Sequence, residues 1–138
     1  MWKVCYKLIE KGKKMIAKGL NVLVVDDNGM NRKLFSMLLK KMECNVDEAG
    51  GGMECLELAR QKKYDLIFMD HLMPVMDGIE TLNRMRELEL SLNPDTPVIA
   101  LTANDLRNSE AFYLENGFDG YLEKPVLPVK LENVINRL

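Results

Sequence analysis

Histidine and tryptophan each occur once in these 138 residues, as His71 and Trp2, and cysteine occurs three times. One histidine cannot build a transition-metal centre, and Cys5, Cys44 and Cys55 show neither metal-ligand nor CxxC spacing. The odd cysteine count and the lack of a secretory signal fit a reducing, cytoplasmic compartment. No apolar run approaches the roughly 18–20 residues needed to cross a bilayer. There is no GxxxxGK[ST] loop and no GxGxxG after the first apolar run, which argues against nucleotide hydrolysis and a dinucleotide cofactor. Positive charge is not in excess: 19 Lys and Arg stand against 21 Asp and Glu, a net of -2. The balance gives no reason to expect direct nucleic-acid binding. What is present is ordinary for a soluble fold, 47% hydrophobic and 29% charged, in a length suited to one domain.

The charge is unevenly spread. Residues 1–18 hold six lysines and one acid, a net of +5, so the remainder carries -7. We read 1–19 as a basic leader in which Trp2, Cys5, Tyr6 and Ile9 share a helical face, with Gly12 and Gly19 weakening and ending it. A linker or packing helix, a frayed tail and a membrane-surface or partner helix are the competing readings.

From residue 20 the chain alternates. Short apolar strands are expected over 20–25, 44–48, 64–69, 98–101 and 120–123. Between them come helical patterns: one after Asn28 carrying Leu34, Leu38 and Met42 with Phe35 and Leu39, one over 52–61, one from about Gly78 with Ile79, Leu82 and Met85, and one over 106–116 closing at Asn116-Gly117. A last helix shows Leu131, Val134, Ile135 and Leu138. Asn93-Pro94 reads as a turn, and Gly50-Gly51-Gly52 as a structural loop or helix start. Strands separated by helical crossovers predict an α/β fold: a single doubly wound (βα)5 domain over 20–138 with a parallel sheet between helices.

In such a sheet, sites lie at the carboxyl ends of the strands. Four strands there run into polar residues: Asp26-Asp27, Asp70, Thr102 and Lys124. Converging carboxylates repel unless a cation neutralises them, and hard oxygen ligands suit Mg²⁺. A carboxylate nucleophile, a divalent cation, a lysine and a hydroxyl make a phosphoryl-transfer site. Asp70 is the better nucleophile, since its strand is expected to be internal and the Asp26-Asp27 pair suits joint metal duty.

These motifs resemble the response-regulator receiver family, also found fused to hybrid histidine kinases: Val24-Val25-Asp26-Asp27-Asn28, Met69-Asp70-His71-Leu72-Met73-Pro74-Val75-Met76-Asp77-Gly78, Leu101-Thr102-Ala103-Asn104 and Lys124-Pro125, across about 20–138. The resemblance implies a five-stranded sheet of order 2-1-3-4-5. It implies that Asp70 takes phosphate from a phosphohistidine donor and later loses it to water. Asp27, Asp70 and the Leu72 main-chain carbonyl would bind Mg²⁺, with Asp26 acting directly or through water; Mn²⁺ could substitute. Lys124 and Thr102 would contact the phosphoryl group, beside the Ala103 N–H. Tyr121 fills the switch-aromatic position, and Lys124–Pro125 the cis-proline position. His71 would line the site entrance or stand as an exposed loop residue, and Asn104 would tune phosphoryl lifetime.

The implied partners are a histidine kinase or histidine phosphotransfer domain, and an effector or intramolecular domain that reads the phosphorylated state. No output domain is seen after the last helix, so a receiver from a larger hybrid kinase and a stand-alone regulator both remain open. A non-phosphorylated pseudo-receiver would have lost an acceptor, metal or lysine residue, and none is lost. A small-molecule phosphatase on a similar sheet would need a substrate cap for which there is little room.

Overall fold

Side chains along a strand point alternately to opposite faces, so a strand apolar at every position needs cover on both. Three of the five runs, around 22–25, 66–69 and 98–101, have that character, and the fold supplies the two layers. The computed structural model describes residues 18–88, 91–103 and 110–136. Residues 1–17 of the leader, Asn104, the start of the helix expected over 106–116, and Leu138 lie outside them.

The strands are β1 (Asn21–Val25), β2 (Asn45–Ala49), β3 (Leu66–Asp70), β4 (Val98–Thr102) and β5 (Gly120–Glu123), and the helices α1 (Gly29–Lys41), α2 (Gly52–Gln61), α3 (Gly78–Glu87), α4 (Glu110–Glu115) and α5 (Pro128–Asn136). The five strands form one sheet in the order β2-β1-β3-β4-β5, and every pairing is parallel. The chain is thus the expected doubly wound α/β domain. No helix among the described residues is long and apolar enough to cross a membrane.

Parity along the strands sorts the core. Val22, Val24, Leu66, Phe68, Ile99, Leu101 and Leu122 pack with Phe35, Leu39, Leu131 and Ile135 of α1 and α5. Leu23, Val25, Ile67, Met69, Val98 and Ala100 pack on the other face with Cys55, Leu82, Met85 and Tyr113 of α2, α3 and α4. In α1 the expected stripe is turned: Phe35 and Leu39 are buried while Leu34 is 57% exposed. The sheet is reached from one side of the cylinder only. Phe35 takes it by packing on the Phe68 ring at 4.7 Å, which sends Leu34 outward with Met30 and Met37.

Local chemistry sets the helix ends. Asn28 caps α1 by accepting from the Asn31 N–H at 3.0 Å, and Asp77 caps α3 by accepting from Glu80 at 2.9 Å. α4 closes in a Schellman arrangement: the Phe118 N–H donates to the Tyr113 carbonyl and the Gly117 N–H to that of Leu114, with Gly117 at φ +96°.

Asn93, read from sequence as part of a turn, is a buried clasp. Its carboxamide oxygen accepts from the Tyr64 N–H and the Thr96 hydroxyl, and its nitrogen donates to the Ala59 and Lys62 carbonyls, all at 2.8–2.9 Å. Asn93→Ala leaves these buried groups unpaired. We expect a loss of about 2–4 kcal/mol, read from urea unfolding, with acceptor chemistry retained by the folded fraction.

Candidate acceptor site

Strand register carries the site. Val25 pairs with Met69, Asp70 with Leu101, and Thr102 with Glu123. The polar residues therefore end their strands at one level: Asp26 follows β1, Asp70 closes β3, Thr102 closes β4 and Lys124 follows β5. β1 and β3 flank the point where the winding reverses, because β2 lies outside β1 while β4 and β5 lie beyond β3.

Asp26, Asp27 and Asp70 each offer a carboxylate oxygen, and these atoms lie within 4.8 Å of one another. Asp26 and Asp70 are buried and Asp27 is exposed, so the cluster opens to solvent on one side. The Lys124 ammonium stands 2.9 Å from Asp70 Oδ1 and 3.3 Å from Asp26 Oδ2. Burial pushes the Asp70 carboxyl up to about 7, against the pull of Lys124 and aided by the Asp26 charge and a hydrogen bond with Asp27. Burial works the other way on Lys124, but its contacts with Asp70 and Asp26 prevail and its pKa is raised. The two upward shifts look contradictory for an ion pair. They agree once charges are counted: one ammonium contacts two carboxylates, Asp70 and Asp26, in a cluster of three, so the lysine is well satisfied while burial and the Asp26 charge still raise Asp70. The excess of two negative charges and the all-oxygen donor set fit a divalent cation.

The surroundings hold this geometry. The Asn28 N–H donates to Asp26 Oδ1 at 2.9 Å. Arg32 of α1 donates to the Asp26 carbonyl at 2.7 Å and to Glu48 Oε1 of β2 at 3.1 Å. Sequence reading credited β2 with no part in the site and missed this Arg32–Glu48 support; an arginine one helical turn beyond the acidic pair was its only signal. The Gly78 N–H donates to the His71 carbonyl at 2.8 Å, and a β-carbon on Gly78 would meet the Asp70 carbonyl oxygen. At Val75 the backbone has φ +72°, and the Met76 N–H donates to the Pro74 carbonyl, a tight γ-turn that is strained for a β-branched residue.

The remaining expected residues fall in two groups. The Lys124–Pro125 peptide is cis. The Leu72 side chain is exposed in the loop after β3 and Ala103 is exposed after β4. The Thr102 and Tyr121 side chains meet Tyr113 on the α4 face. The Thr102 hydroxyl donates to the Ala103 carbonyl at 2.8 Å and meets the Tyr113 hydroxyl at 2.9 Å. Tyr121 is half-buried and stacks on Tyr113, centroids 5.9 Å apart. His71 is neither an exposed loop residue nor a wall of the entrance. It is 7% exposed, with Nδ1 3.0 Å from the Tyr113 hydroxyl and its ring against Phe112 and Tyr113. The β3 alternation that turns Asp70 to one face turns the next side chain to the other. Tyr113, the centre of this group, was not singled out from sequence.

Comparison with known proteins agrees with this geometry. A family model described as a response regulator receiver domain matches residues 22–136. Hybrid signal transduction histidine kinase I of Dictyostelium discoideum is 37% identical over 130 residues, 91% of this chain, which spans 7% of that relative's length. The receiver domain of sensor histidine kinase PA1611 from Pseudomonas aeruginosa PAO1, crystallised with a magnesium ion coordinated in its active site cleft, superposes with a TM-score of 0.76 at 31% identity, covering 86% of this chain and 96% of that one. The Saccharomyces cerevisiae Ssk1 receiver, co-crystallised with the histidine phosphotransfer protein Ypd1, gives 0.75 at 31% identity, covering 86% and 87%.

Proposed function

Because this chain belongs to the response-regulator receiver family, we propose that Asp70 accepts a phosphoryl group from a phosphohistidine donor and that the modified domain presents a changed surface to a partner. The observation that carries this is the trio of carboxylates with oxygens within 4.8 Å, with Lys124 2.9 Å from Asp70. An Asp70 oxygen attacks phosphorus in line, and the bond to the donor nitrogen breaks with its electron pair left on the imidazole. Lys124 is placed to bind a phosphoryl oxygen as charge builds.

Asp26, Asp27, Asp70 and the Leu72 carbonyl would hold the metal. Mg²⁺ is our choice for this oxygen donor set, with Mn²⁺ able to substitute. The bound cation supplies charge neutralisation at the attacking and transferring oxygens. The Thr102 hydroxyl and the Ala103 N–H would take the outer oxygens once Thr102 turns toward the phosphoryl group, and Tyr121 would follow it. Asn104 would tune how readily water reaches the acyl phosphate.

The donor we assign is a histidine kinase or histidine phosphotransfer domain. Met30, Leu34 and Met37 of α1, Leu127 just before α5 and Val129 within it are exposed apolar side chains. Leu34 also lines a cavity of about 100 Å³ with Phe35, Leu38 and Val126, which reaches Asp26 and Lys124. That suits a protein donor better than a small polar one. We assign the receiver to residues 20–138 and a leader to 1–19, place the domain in the cytoplasm, and read it as part of a hybrid histidine kinase rather than a stand-alone turnover enzyme.

Intact mass after incubation with acetyl phosphate tests the reading. We expect a gain of one phosphoryl group with Mg²⁺ and none with a chelator. No gain from acetyl phosphate or from a phosphohistidine protein donor contradicts it.

A further inference from the structure

We propose that Tyr113 is a positioning residue that restrains the Thr102 hydroxyl in the unphosphorylated state, and that it links Thr102 to the acceptor strand through His71. This rests on the receiver reading above and adds to it a residue outside the acceptor set.

The hydrogen bonds admit one direction of donation. Thr102 has a single hydroxyl proton, and it is given to the Ala103 carbonyl at 2.8 Å. Tyr113 must therefore donate to Thr102 across 2.9 Å. Its own proton is then committed, so His71 must present Nδ1–H to the Tyr113 oxygen across 3.0 Å. Each member thus leaves no proton of Thr102 for a phosphoryl oxygen. Thr102 can serve the phosphoryl group only by leaving Ala103 and Tyr113.

The middle member is held firmly. Tyr113 is 0% exposed. Its carbonyl accepts the Phe118 N–H that closes α4, and its ring packs edge-on against His71, Phe112 and Phe118 and flat against Tyr121. A side chain so fixed cannot follow Thr102 toward the acceptor, so the hydrogen bond is lost when Thr102 moves. His71 is joined to Asp70 by one peptide bond, and its N–H is tied to the Leu101 carbonyl of β4. His71, Tyr113, Thr102 and Leu101 therefore close a loop of covalent and hydrogen bonds one peptide bond from the acceptor, with Tyr121 stacked on Tyr113.

Tyr113→Phe deletes the hydroxyl and keeps the ring. The resting arrangement loses its bond to Thr102, and the arrangement with Thr102 turned inward loses nothing from that bond. The test is titration of the chain with beryllofluoride and Mg²⁺, a phosphoryl mimic that needs no turnover, on the parent protein, Tyr113→Phe, Thr102→Ala and the double variant. Urea unfolding confirms that each is folded. We expect Tyr113→Phe to bind about fivefold more tightly than the parent, equivalent to about 1 kcal/mol for one lost hydrogen bond. In the Thr102→Ala background the same change should have no effect, because the group it restrains is gone. Equal or weaker binding by Tyr113→Phe overturns the proposal, and so does a gain that survives in the Thr102→Ala background, which marks a general packing effect. If the parent protein itself fails to bind the mimic, the receiver reading falls, and this inference with it.

Discussion

Asp70→Asn should make the cation-free protein more stable at pH 7.5, by about 1–3 kcal/mol, while abolishing phosphoryl acceptance. An ordinary carboxylate ionises near 4 in the unfolded chain, whereas burial holds Asp70 up to about 7 in the fold. Between those values the folded state keeps a proton that the unfolded state has released. Stability therefore falls as pH rises from about 4 and levels off above about 7. Asparagine is neutral throughout, so the variant should lack this slope and gain most on the alkaline side. Lys124 keeps its second partner, Asp26 at 3.3 Å, so the ammonium is not left alone. Divalent cation should narrow the difference by stabilising the parent protein selectively. Urea unfolding at pH 5 and pH 8, with and without Mg²⁺, reads all of this. A parent protein equally stable at both pH values, or a variant less stable at pH 8, would show that Asp70 is not under electrostatic stress.

Gly78→Ala should cost about 3 kcal/mol or more and impair the acceptor in whatever fraction folds. The added methyl would collide with the Asp70 carbonyl oxygen and sit 3.1 Å from the His71 α-carbon. Both are backbone atoms at the end of the central strand, so no flexible side chain can move aside. α3 must shift, and the Gly78 N–H bond to His71 that seats it on β3 is stretched. Thermal unfolding together with Mg²⁺ titration measures the two effects. Gly51 is a matched control: a β-carbon there meets nothing within 4 Å, and Gly51→Ala should stay within about 0.5 kcal/mol of the parent.

Much of the fold follows from local pattern. Val22–Val25 and Leu66–Met69 are apolar at every position because each strand is covered on both faces, and Asp26 and Asp70 end those runs at the carboxyl edge of the sheet. The same rule brought out Thr102 and Lys124. What escaped depends on neighbours far along the chain. Leu34 and Phe35 are equally apolar, and only the Phe68 ring beneath α1 decides that Phe35 turns inward. Asn93-Pro94 has the composition of a turn, and its clasp function exists only because the Tyr64 and Thr96 groups arrive beside it. His71 was read from its place after the acceptor, yet strand alternation turns it toward α4. Tyr113 gives no sequence signal beyond an aromatic before a helix stop. Its role appears once β3 and β4 set His71 and Thr102 within reach of one hydroxyl.

The most direct test of the central claim is to locate the phosphoryl group. After acetyl phosphate and Mg²⁺ treatment, borohydride reduction converts an acyl phosphate to a stable alcohol that peptide mass spectrometry can place. The expected result is reduction at residue 70 alone, absent when Mg²⁺ is omitted. Reduction at Asp26 or Asp27, or phosphate on a hydroxyl or histidine side chain instead, would contradict the assignment of Asp70 as the acceptor.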